Sequence, residues 1–450
     1  MSNFLTRTRS APPVRMVHFG LGNFYRAHQA WYTQHAADAA EWGYAAFEGR
    51  TAGTAAALNS QDNVYTIAFT AAAGDRYELI ESIAVAHDAE EYQAWVDFCA
   101  SPSVAIISTT VTEAGYLSDR KGGLLADDPT FVADLAKLRS GAIDVLSTPA
   151  RLVLGLQARR AADAGKVALM SCDNLLENGT IMRQVTMAAA ELLDPSLATW
   201  IRENVSFVTT MVDRITPRPT DEDLARVEQG IGMHDAAPII TEPFGEWVID
   251  GEFPAGRPDW ASAGATFTND IDSNERRKLW LLNGSHSLLA YVGMMRGCET
   301  VADAMTDAFC RATAQSWWDS ALTVLEGDRA RLSAYTQALT ERFDNPRIRH
   351  LLAQIGTDGS LKIPVRWVPA LSVLRERGEM PIAVLRGLAA YALYLQRGDV
   401  NDVAKEQLLA AVAPDVHDTL RGMLAIVAPN LLNDGDLLAA IDTVLDEFTK

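Results

Sequence analysis

Cysteine is scarce in this chain, and the few cysteines follow no pattern that holds a metal or a disulfide framework. They form no CxxC pair and no Cys/His spacing typical of zinc ligands: Cys99, Cys172, Cys298 and Cys310. We therefore expect no metal site, and the arrangement is typical of proteins from a reducing compartment.

Long apolar runs are also missing. No stretch approaches the ~20 residues that a membrane span needs. The first 15 residues carry three arginines but lack the apolar run that follows them in a signal peptide. The formal net charge of −19 opposes binding to nucleic acid or to an anionic membrane. These features predict a soluble cytoplasmic protein that contacts neither.

Linkers rich in glycine and proline are absent too, although 450 residues are too many for one ordinary core. Hydrophobic residues make up 48% of the chain, which is enough for two sizeable cores. The pattern of apolar residues changes near residue 272. We therefore expect one domain over residues 1–271 and a second over residues 272–450.

The first of these domains alternates between short apolar strands and helical patterns, which is typical of an α/β fold. Strands are predicted at 14–19, 44–47, 64–69, 77–85, 104–108, 167–170 and 205–212, and a helix at 24–39. The strands at 64–69 and 77–85 are expected to form a hairpin. Polar loops follow most of these strands, and doubly wound sheets bind their ligands at the carboxyl ends of strands.

The second domain is predicted to be almost entirely helical. Helical patterns cover roughly 302–342, 382–396, 402–413, 416–427 and 436–448. At its start, Asp272-Ser-Asn-Glu275 resembles a capping box that opens a helix containing Lys278.

A glycine motif, Gly20-Leu-Gly22, directly follows the first predicted strand. In dinucleotide-binding turns the first glycine permits a tight turn and the second lets the backbone approach the pyrophosphate. Tyr25 replaces the usual third glycine, so the motif alone is weak evidence. Glu48, at the end of the second strand, suits the ribose hydroxyls of NAD, whereas Arg50 suits the 2′-phosphate of NADP.

The segment Lys278-Leu-Trp-Leu-Leu-Asn283-Gly-Ser-His286 places an amine, an amide and an imidazole in one leucine-rich helical run. At about 100° per residue, Asn283 and His286 lie roughly 140° and 80° around an α-helix from Lys278. Spacing alone favours a solvated lysine, a packing asparagine and a core histidine over a cradle for a substrate atom.

Further segments, in their order and spacing, change this interpretation. The segments are Gly20–Gln29, Thr110–Tyr116, Ser171–Asn174, Val212–Pro217, Thr241–Phe244, Lys278–Ser287 and Thr357–Pro364. Together they resemble the polyol-specific long-chain dehydrogenases, a family that includes mannitol 2-dehydrogenase, arabinitol 4-dehydrogenase and fructuronate (mannonate) reductase. The resemblance implies a Rossmann-type N-terminal domain, a mostly α-helical C-terminal domain, a metal-independent site between them, NAD as cofactor and a monomeric protein.

The resemblance also implies roles for individual residues. Lys278 corresponds to the general base that takes the alcohol proton, and Asn174 and Asn283 correspond to two amides that hold the reacting oxygen. The remaining positions are His286 (substrate orientation), Glu275 (proton transfer to solvent), Asp213 and Lys362 (substrate binding), and Gly20, Gly22, Asn23, Phe24, Glu48, Thr110 and Val111 (cofactor binding).

This set is chemically consistent with alcohol oxidation in the absence of a metal. Zinc enzymes acidify the alcohol with the metal. A lysine can remove the proton instead when burial or a nearby cation lowers its pKa. Amide NH2 groups that point at the oxygen then stabilise the developing alkoxide. We therefore predict an NAD-dependent oxidoreductase that interconverts a C5 or C6 polyol and its ketose, with NADP left open.

Two departures from the family pattern concern the substrate. Gln354 stands where one subgroup of mannitol dehydrogenases has arginine, and Gly245-Glu246 replaces a bulky or basic residue and a glutamine. The alternative substrate is a hexuronate, as in a fructuronate/mannonate reductase, whose carboxylate would need Arg366 or Lys362. Neutral polyols are favoured because Gln354 removes one cation. A non-catalytic NAD-binding regulator is a further alternative, which the complete Lys278 set disfavours.

Overall fold

The computed structural model describes residues 4–49, 52–119 and 121–449. The chain forms two compact units, Met1–Asp272 and Ser273–Lys450. Arg50, which the sequence offered as a contact for NADP, lies outside the described residues.

The first unit contains the strands of the protein. Those among the described residues are β1 (Val14–Phe19), β2 (Gly43–Phe47), β3 (Tyr65–Ala71), β4 (Gly74–Ile80), β5 (Ile83–His87), β6 (Ile106–Thr109), β7 (Val167–Ser171), β8 (Val205–Asp213), β9 (Ile239–Thr241), β10 (Glu246–Asp250) and β11 (Thr266–Phe267). Its helices are α1 (Asn23–Ala27), α2 (Gln29–His35), α3 (Thr54–Asn59), α4 (Tyr92–Cys99), α5 (Pro129–Ser140), α6 (Thr148–Ala161), α7 (Asn178–Leu193), α8 (Pro195–Asn204) and α9 (Asp221–Ile231).

Eight strands form the main sheet, in the order β11-β10-β8-β7-β6-β1-β2-β5. Six neighbouring strands of this sheet are parallel to one another, namely β5, β2, β1, β6, β7 and β8, whereas β10 runs antiparallel to β8. Every residue of β2, β6 and β7 is buried, as expected for parallel strands covered on both faces. The structure thus confirms the predicted α/β fold. A second sheet has the order β4-β3-β9.

The predicted hairpin is confirmed only in part. Strands β3 and β4 pair antiparallel, but the segment expected as one arm over 77–85 is two strands, and β5 belongs to the main sheet. The N-terminal segment explains the break. The guanidinium of Arg7 donates to the carbonyls of Glu81 and Ile83, and the Glu81 carboxylate accepts the Thr8 amide at 2.6 Å. These contacts turn the chain between β4 and β5.

The helix predicted over 24–39 is interrupted at His28, whose φ of −116° and ψ of −86° are not helical. The His28 side chain is fully buried, and its Nε2 lies 3.0 Å from the carbonyl oxygen of Glu246. This contact holds the side chain in the core at the point where α1 ends and α2 begins.

Apart from one isolated β-bridge between Thr300 and Leu351, the second unit has only helices as regular elements among its described residues. It contains α10 (Ile271–Arg277), a π-helical segment (Lys278–Gly284), α11 (Ser285–Met295), α12 (Val301–Thr306), α13 (Ala308–Val324), α14 (Arg329–Phe343), α15 (Leu352–Ile355), α16 (Gly359–Arg366), α17 (Val368–Glu376), α18 (Ile382–Gln396), α19 (Lys405–Ala410), α20 (Val416–Val427) and α21 (Gly435–Thr449). None of the helices in the described ranges is long and apolar enough to cross a bilayer.

Aspartates divide the long helical pattern predicted over 302–342. Asp307 accepts the amide of Cys310 at 2.9 Å and caps α13, and Asp328 accepts the amide of Ala330 at 2.8 Å and caps α14. The predicted capping box is wrong, because α10 begins at Ile271 and Asp272 therefore lies within its first turn.

Candidate active site

The turn after β1 is built around Gly20. The amides of Gly20 and Leu21 both donate to the carbonyl of Phe47 at 2.9 Å, which ties the end of β1 to the end of β2. Gly20 has a φ of +112°, and a Cβ placed on it would lie 2.1 Å from the carbonyl oxygen of Thr110. Only glycine fits at this position, because the loop after β6 passes directly against it.

This turn lies where a dinucleotide binds in doubly wound sheets. Strand β1 lies between β2 and β6, so the order of strands changes direction there, and ligands bind at such switch points. Gly22 caps α1, which begins with Asn23 and Phe24. The ends of β1, β2 and β6 thus carry all predicted cofactor contacts: Gly20, Gly22, Asn23, Phe24, Glu48, Thr110 and Val111.

Two buried oxygens at these strand ends have no hydrogen-bond partner among the described residues, namely Oε2 of Glu48 and Oγ1 of Thr110. The other carboxylate oxygen of Glu48 accepts the amide of Ala55 at 2.7 Å, so this residue also supports the start of α3. Unsatisfied buried acceptors are rare, and these two can accept the hydroxyls of a ribose, so the residues present fit a dinucleotide.

Asp173 is a central residue of this region that the sequence analysis missed. Its fully buried carboxylate accepts the amide of Val111 and the hydroxyls of Tyr116, Ser171 (2.7 Å) and Thr109 (3.2 Å). It therefore joins the loop after β6 to the end of β7. The one signal in the sequence is its place inside a segment shared with the family, directly before the predicted amide of Asn174.

Burial raises the pKa of Asp173 to about 6, although hydrogen bonds from Tyr116, Ser171 and Val111 oppose the shift. A carboxyl whose pKa is higher in the folded state destabilises that state as it ionises, here between pH ~4 and ~6. Asp173→Asn cannot ionise. As the pH rises through that window, we expect the melting temperature of the wild type to fall by a few degrees relative to that of this variant. Scanning fluorimetry measures both melting temperatures. If their difference stays constant with pH, the pKa of Asp173 is not raised in the folded state.

Asn174 lies three residues after β7, and Asp213 is the last residue of the neighbouring strand β8. Asp213 is buried at the end of β8, and Asn174 is exposed in the loop after β7. Next to them, the guanidinium of Arg214 is buried and donates to the carbonyls of Ala27 and Phe244. A Cβ at Gly245 would lie 2.2 Å from this guanidinium. The glycine that departs from the family pattern thus makes room for a buried arginine.

In the second unit, Lys278–Gly284 is π-helical instead of the α-helix assumed from the sequence. In a π-helix the hydrogen-bonded repeat is i to i+5, so Asn283 lies about one turn above Lys278 and not 140° away. Lys278 is 8% exposed and Glu275 is 6% exposed, so both charged groups lie in the interior. Single π turns are rare and frequently mark functional sites.

His286 lies in the first turn of α11 and is almost fully buried. Its ring stacks on Phe343 with 4.5 Å between centroids, and its Nε2 has no hydrogen-bond partner among the described residues. Burial lowers the pKa of His286 well below its usual value, as do the charges of Arg342, Arg366 and Lys278 and the neighbouring His350. The imidazole is therefore neutral near pH 7 and can exchange one hydrogen bond with a substrate hydroxyl.

The other predicted cations of this unit contact backbone carbonyls. The ammonium of Lys362 donates to Thr357 at 2.5 Å and to Ile355 at 3.1 Å. Arg366 donates to the carbonyl of Asn283 at 3.2 Å and to the hydroxyl of Ser287 at 2.8 Å. Gln354 is exposed on α15. Within the described ranges, no three or more His, Cys, Asp and Glu side chains are grouped so that they could hold a metal ion.

Comparison with known proteins identifies the family. The family model described as the mannitol dehydrogenase Rossmann domain matches residues 14–262, and that of the mannitol dehydrogenase C-terminal domain matches residues 270–426. The chain belongs to the mannitol dehydrogenase family. The resemblance seen in the sequence is thereby confirmed, and with it the class of enzyme, because the named relatives are oxidoreductases.

Similar proteins within the mannitol dehydrogenase family act on different substrates. D-mannonate oxidoreductase of Escherichia coli (strain K12) is 35% identical over 97% of this chain and 93% of its own length. D-arabinitol 4-dehydrogenase of Ralstonia nicotianae is 36% identical over 84% of this chain and 82% of its own length. The solved complex of Pseudomonas fluorescens mannitol 2-dehydrogenase with NAD and D-mannitol has a TM-score of 0.86 at 31% identity, covering 100% of this chain and 94% of that chain.

Proposed function

We propose that this chain is an NAD-dependent oxidoreductase that interconverts a secondary alcohol of a C5 or C6 polyhydroxy compound and the corresponding ketone, with Lys278 as the general base. The observation that carries the proposal is the π-helical turn over Lys278–Gly284, in which Lys278 is buried and Asn283 follows it after one i to i+5 repeat. A base and a hydrogen-bond donor for the same oxygen are the two groups that a metal-free alcohol oxidation requires.

Each residue of the set has a defined task in the proposed reaction. NAD, when bound, supplies a hydride acceptor at C4 of its nicotinamide ring. Lys278 takes the hydroxyl proton, and the amides of Asn283 and Asn174 donate to the oxygen as negative charge develops on it. Glu275, one helical turn before the base, passes the proton on to solvent. The remaining hydroxyls of the substrate bind His286, Asp213 and Lys362.

We favour a sugar acid of the mannonate type as the substrate, in contrast to the neutral polyol preferred from the sequence. A carboxylate that enters a buried site needs a compensating cation. The sequence offered Lys362 and Arg366, and the structure adds Arg342, which is close enough to lower the pKa of both His286 and His350. The similarity to a D-mannonate oxidoreductase over 97% of this chain also supports this choice.

A neutral polyol is the second candidate. The D-arabinitol 4-dehydrogenase of Ralstonia nicotianae is as similar in sequence, at 36% identity. In addition, Lys362 has its ammonium bound by carbonyls of its own unit, so it does not by itself favour an anion.

The two substrate classes are separated by kcat/KM with NAD for mannonate, D-arabinitol and mannitol, measured in the wild type and in Arg342→Gln. We expect the wild type to prefer mannonate, and we expect Arg342→Gln to lower kcat/KM for mannonate by at least ~10-fold while the value for D-arabinitol changes little. Arg331→Gln, an exposed residue of the same helix, is the matched control.

A wild-type preference for arabinitol or mannitol, or an equal loss for acid and polyol in Arg342→Gln, would support the neutral substrate instead. If none of the three compounds is oxidised while NADH still binds, the proposed function fails and the result supports a non-catalytic NAD-binding regulator.

A further inference from the structure

We propose that three tryptophans and Arg366 are positioning residues that hold the catalytic segment in its π-helical form. We call this set, Trp317, Trp318, Trp367 and Arg366, the donor clamp. The inference rests on the proposed function, because it concerns how Lys278 and Asn283 are brought into register.

Two members of the donor clamp lie side by side on α13. Nε1 of Trp317 donates to the carbonyl of Trp280 at 2.7 Å, and Nε1 of Trp318 donates to the carbonyl of Leu281 at 3.0 Å. Consecutive indoles therefore bind consecutive carbonyls in the middle of the π-helical segment.

The other two members lie next to each other at the junction of α16 and α17. Nε1 of Trp367 donates to the carbonyl of Gly284 at 2.9 Å, and the guanidinium of Arg366 donates to the carbonyl of Asn283 at 3.2 Å. The end of the segment is thus held from a second direction, and one of the four bonds goes to the backbone of the predicted catalytic amide itself.

These bonds favour a π turn over an α turn. In an α-helix each carbonyl accepts the amide four residues later, whereas an i to i+5 turn replaces this pattern with a poorer one, which is why π turns are short and rare. Side-chain donors that bind carbonyls of the segment compensate for the loss, and the Ser285 hydroxyl adds a bond to Leu281 at 2.5 Å and one to Leu282 at 3.0 Å. The three indoles are at most 1% exposed, so water cannot take over their bonds if they are removed.

Glycines make room for the indoles. A Cβ on Gly284 would lie 2.8 Å from Nε1 of Trp317, and a Cβ on Gly387 would lie 2.9 Å from the ring of Trp367. The close approach of rings to backbone therefore depends on glycine at two separate positions, one in the π-helical segment and one in α18.

The type of helix determines the angle around the axis between the side chains of Lys278 and Asn283. With the π turn, Asn283 lies one turn above Lys278. If the segment returned to an α-helix, the same two side chains would lie about 140° apart and could not both reach one substrate oxygen. Loss of a clamp donor is expected to shift the segment toward that second arrangement.

The test uses tryptophan to phenylalanine variants, which keep an aromatic ring and remove the N–H. We expect Trp317→Phe and Trp318→Phe each to lower kcat by about 10-fold or more while KM for NAD changes less than about 2-fold. Trp95→Phe is the matched control, since its fully buried indole also donates to a backbone carbonyl, that of Arg151 at 3.0 Å, but in the first unit. It is expected to lose stability and keep its kcat.

A double-mutant cycle separates positioning from general destabilisation. If the donor clamp acts through the amide of Asn283, the kcat of the double variant Trp317→Phe/Asn283→Ala will be little lower than the kcat of Asn283→Ala alone. Additive losses, or a kcat unchanged in Trp317→Phe, would overturn the inference. Should Trp317→Phe fail to fold, the same cycle with Trp318→Phe decides. If Asn283→Ala alone leaves kcat unchanged, the proposed function fails together with the inference.

Discussion

Replacing Lys278 with alanine is expected to lower kcat by at least ~10²-fold while NADH binding is retained, because the base that accepts the hydroxyl proton is lost. Lys278 is 8% exposed, so a water molecule from bulk solvent cannot easily take its place. Turnover is followed at 340 nm, and NADH binding by quenching of tryptophan fluorescence. Added small amines are expected to restore part of the rate.

Lys405→Ala is the control for this experiment, because Lys405 is exposed at the start of α19. It should behave like the wild type in both assays. If Lys278→Ala turns over at a near wild-type rate, Lys278 has no place in the mechanism. If the variant loses NADH binding as well as activity, its defect lies in the fold and not in proton transfer.

Gly20→Ala is expected to weaken NADH binding by ~10²-fold or more. The added methyl group would lie 2.1 Å from the carbonyl oxygen of Thr110, so the turn after β1 and the loop after β6 must move apart. The positive φ alone costs an alanine about 1–2 kcal/mol. Titration with NADH measures the affinity, and the melting temperature reports the accompanying loss of stability.

Gly264→Ala is the control that separates the steric clash with Thr110 from the strain of a positive φ. Gly264 has a φ of +96°, and nothing lies within 4 Å of a Cβ placed on it. This variant should lose some stability and bind NADH normally. An equal loss of affinity in both variants would mean that strain, and not contact with Thr110, is the cause. Unchanged affinity in Gly20→Ala would remove this turn from the cofactor site.

The sequence predicts the centre of the first unit well and its margin poorly. Strands β1 and β7 were predicted to within one residue, because short apolar runs between polar loops have few alternatives. By contrast, β9 and β11 were not predicted, and at three and two residues they are too short to show any alternation. The break between β4 and β5 depends on Arg7 and Thr8, about 70 positions earlier, and no local pattern contains that contact.

In the second unit the sequence predicted the proposed catalytic segment as an α-helix and did not predict its π-helical geometry. An apolar run such as that from Lys278 to Gly284 looks the same in an α-helix and in a π-helix, since the choice depends on donors from α13 and α16 that are distant in sequence. Asp173 was missed for a similar reason. An aspartate in a polar loop looks solvated until the loop after β6 closes over it.

Both edges of the main sheet are protected against pairing with strands of other chains. An open strand edge is a template for strand addition and aggregation. At one edge β11 is only two residues long. At the other edge, Arg7 binds the carbonyl of Ile83 and Asn59 binds that of Ala86, so groups of β5 that another strand could use are already taken. The N-terminal segment and α3 therefore both protect the sheet edge, and the N-terminal segment also shapes the turn before β5.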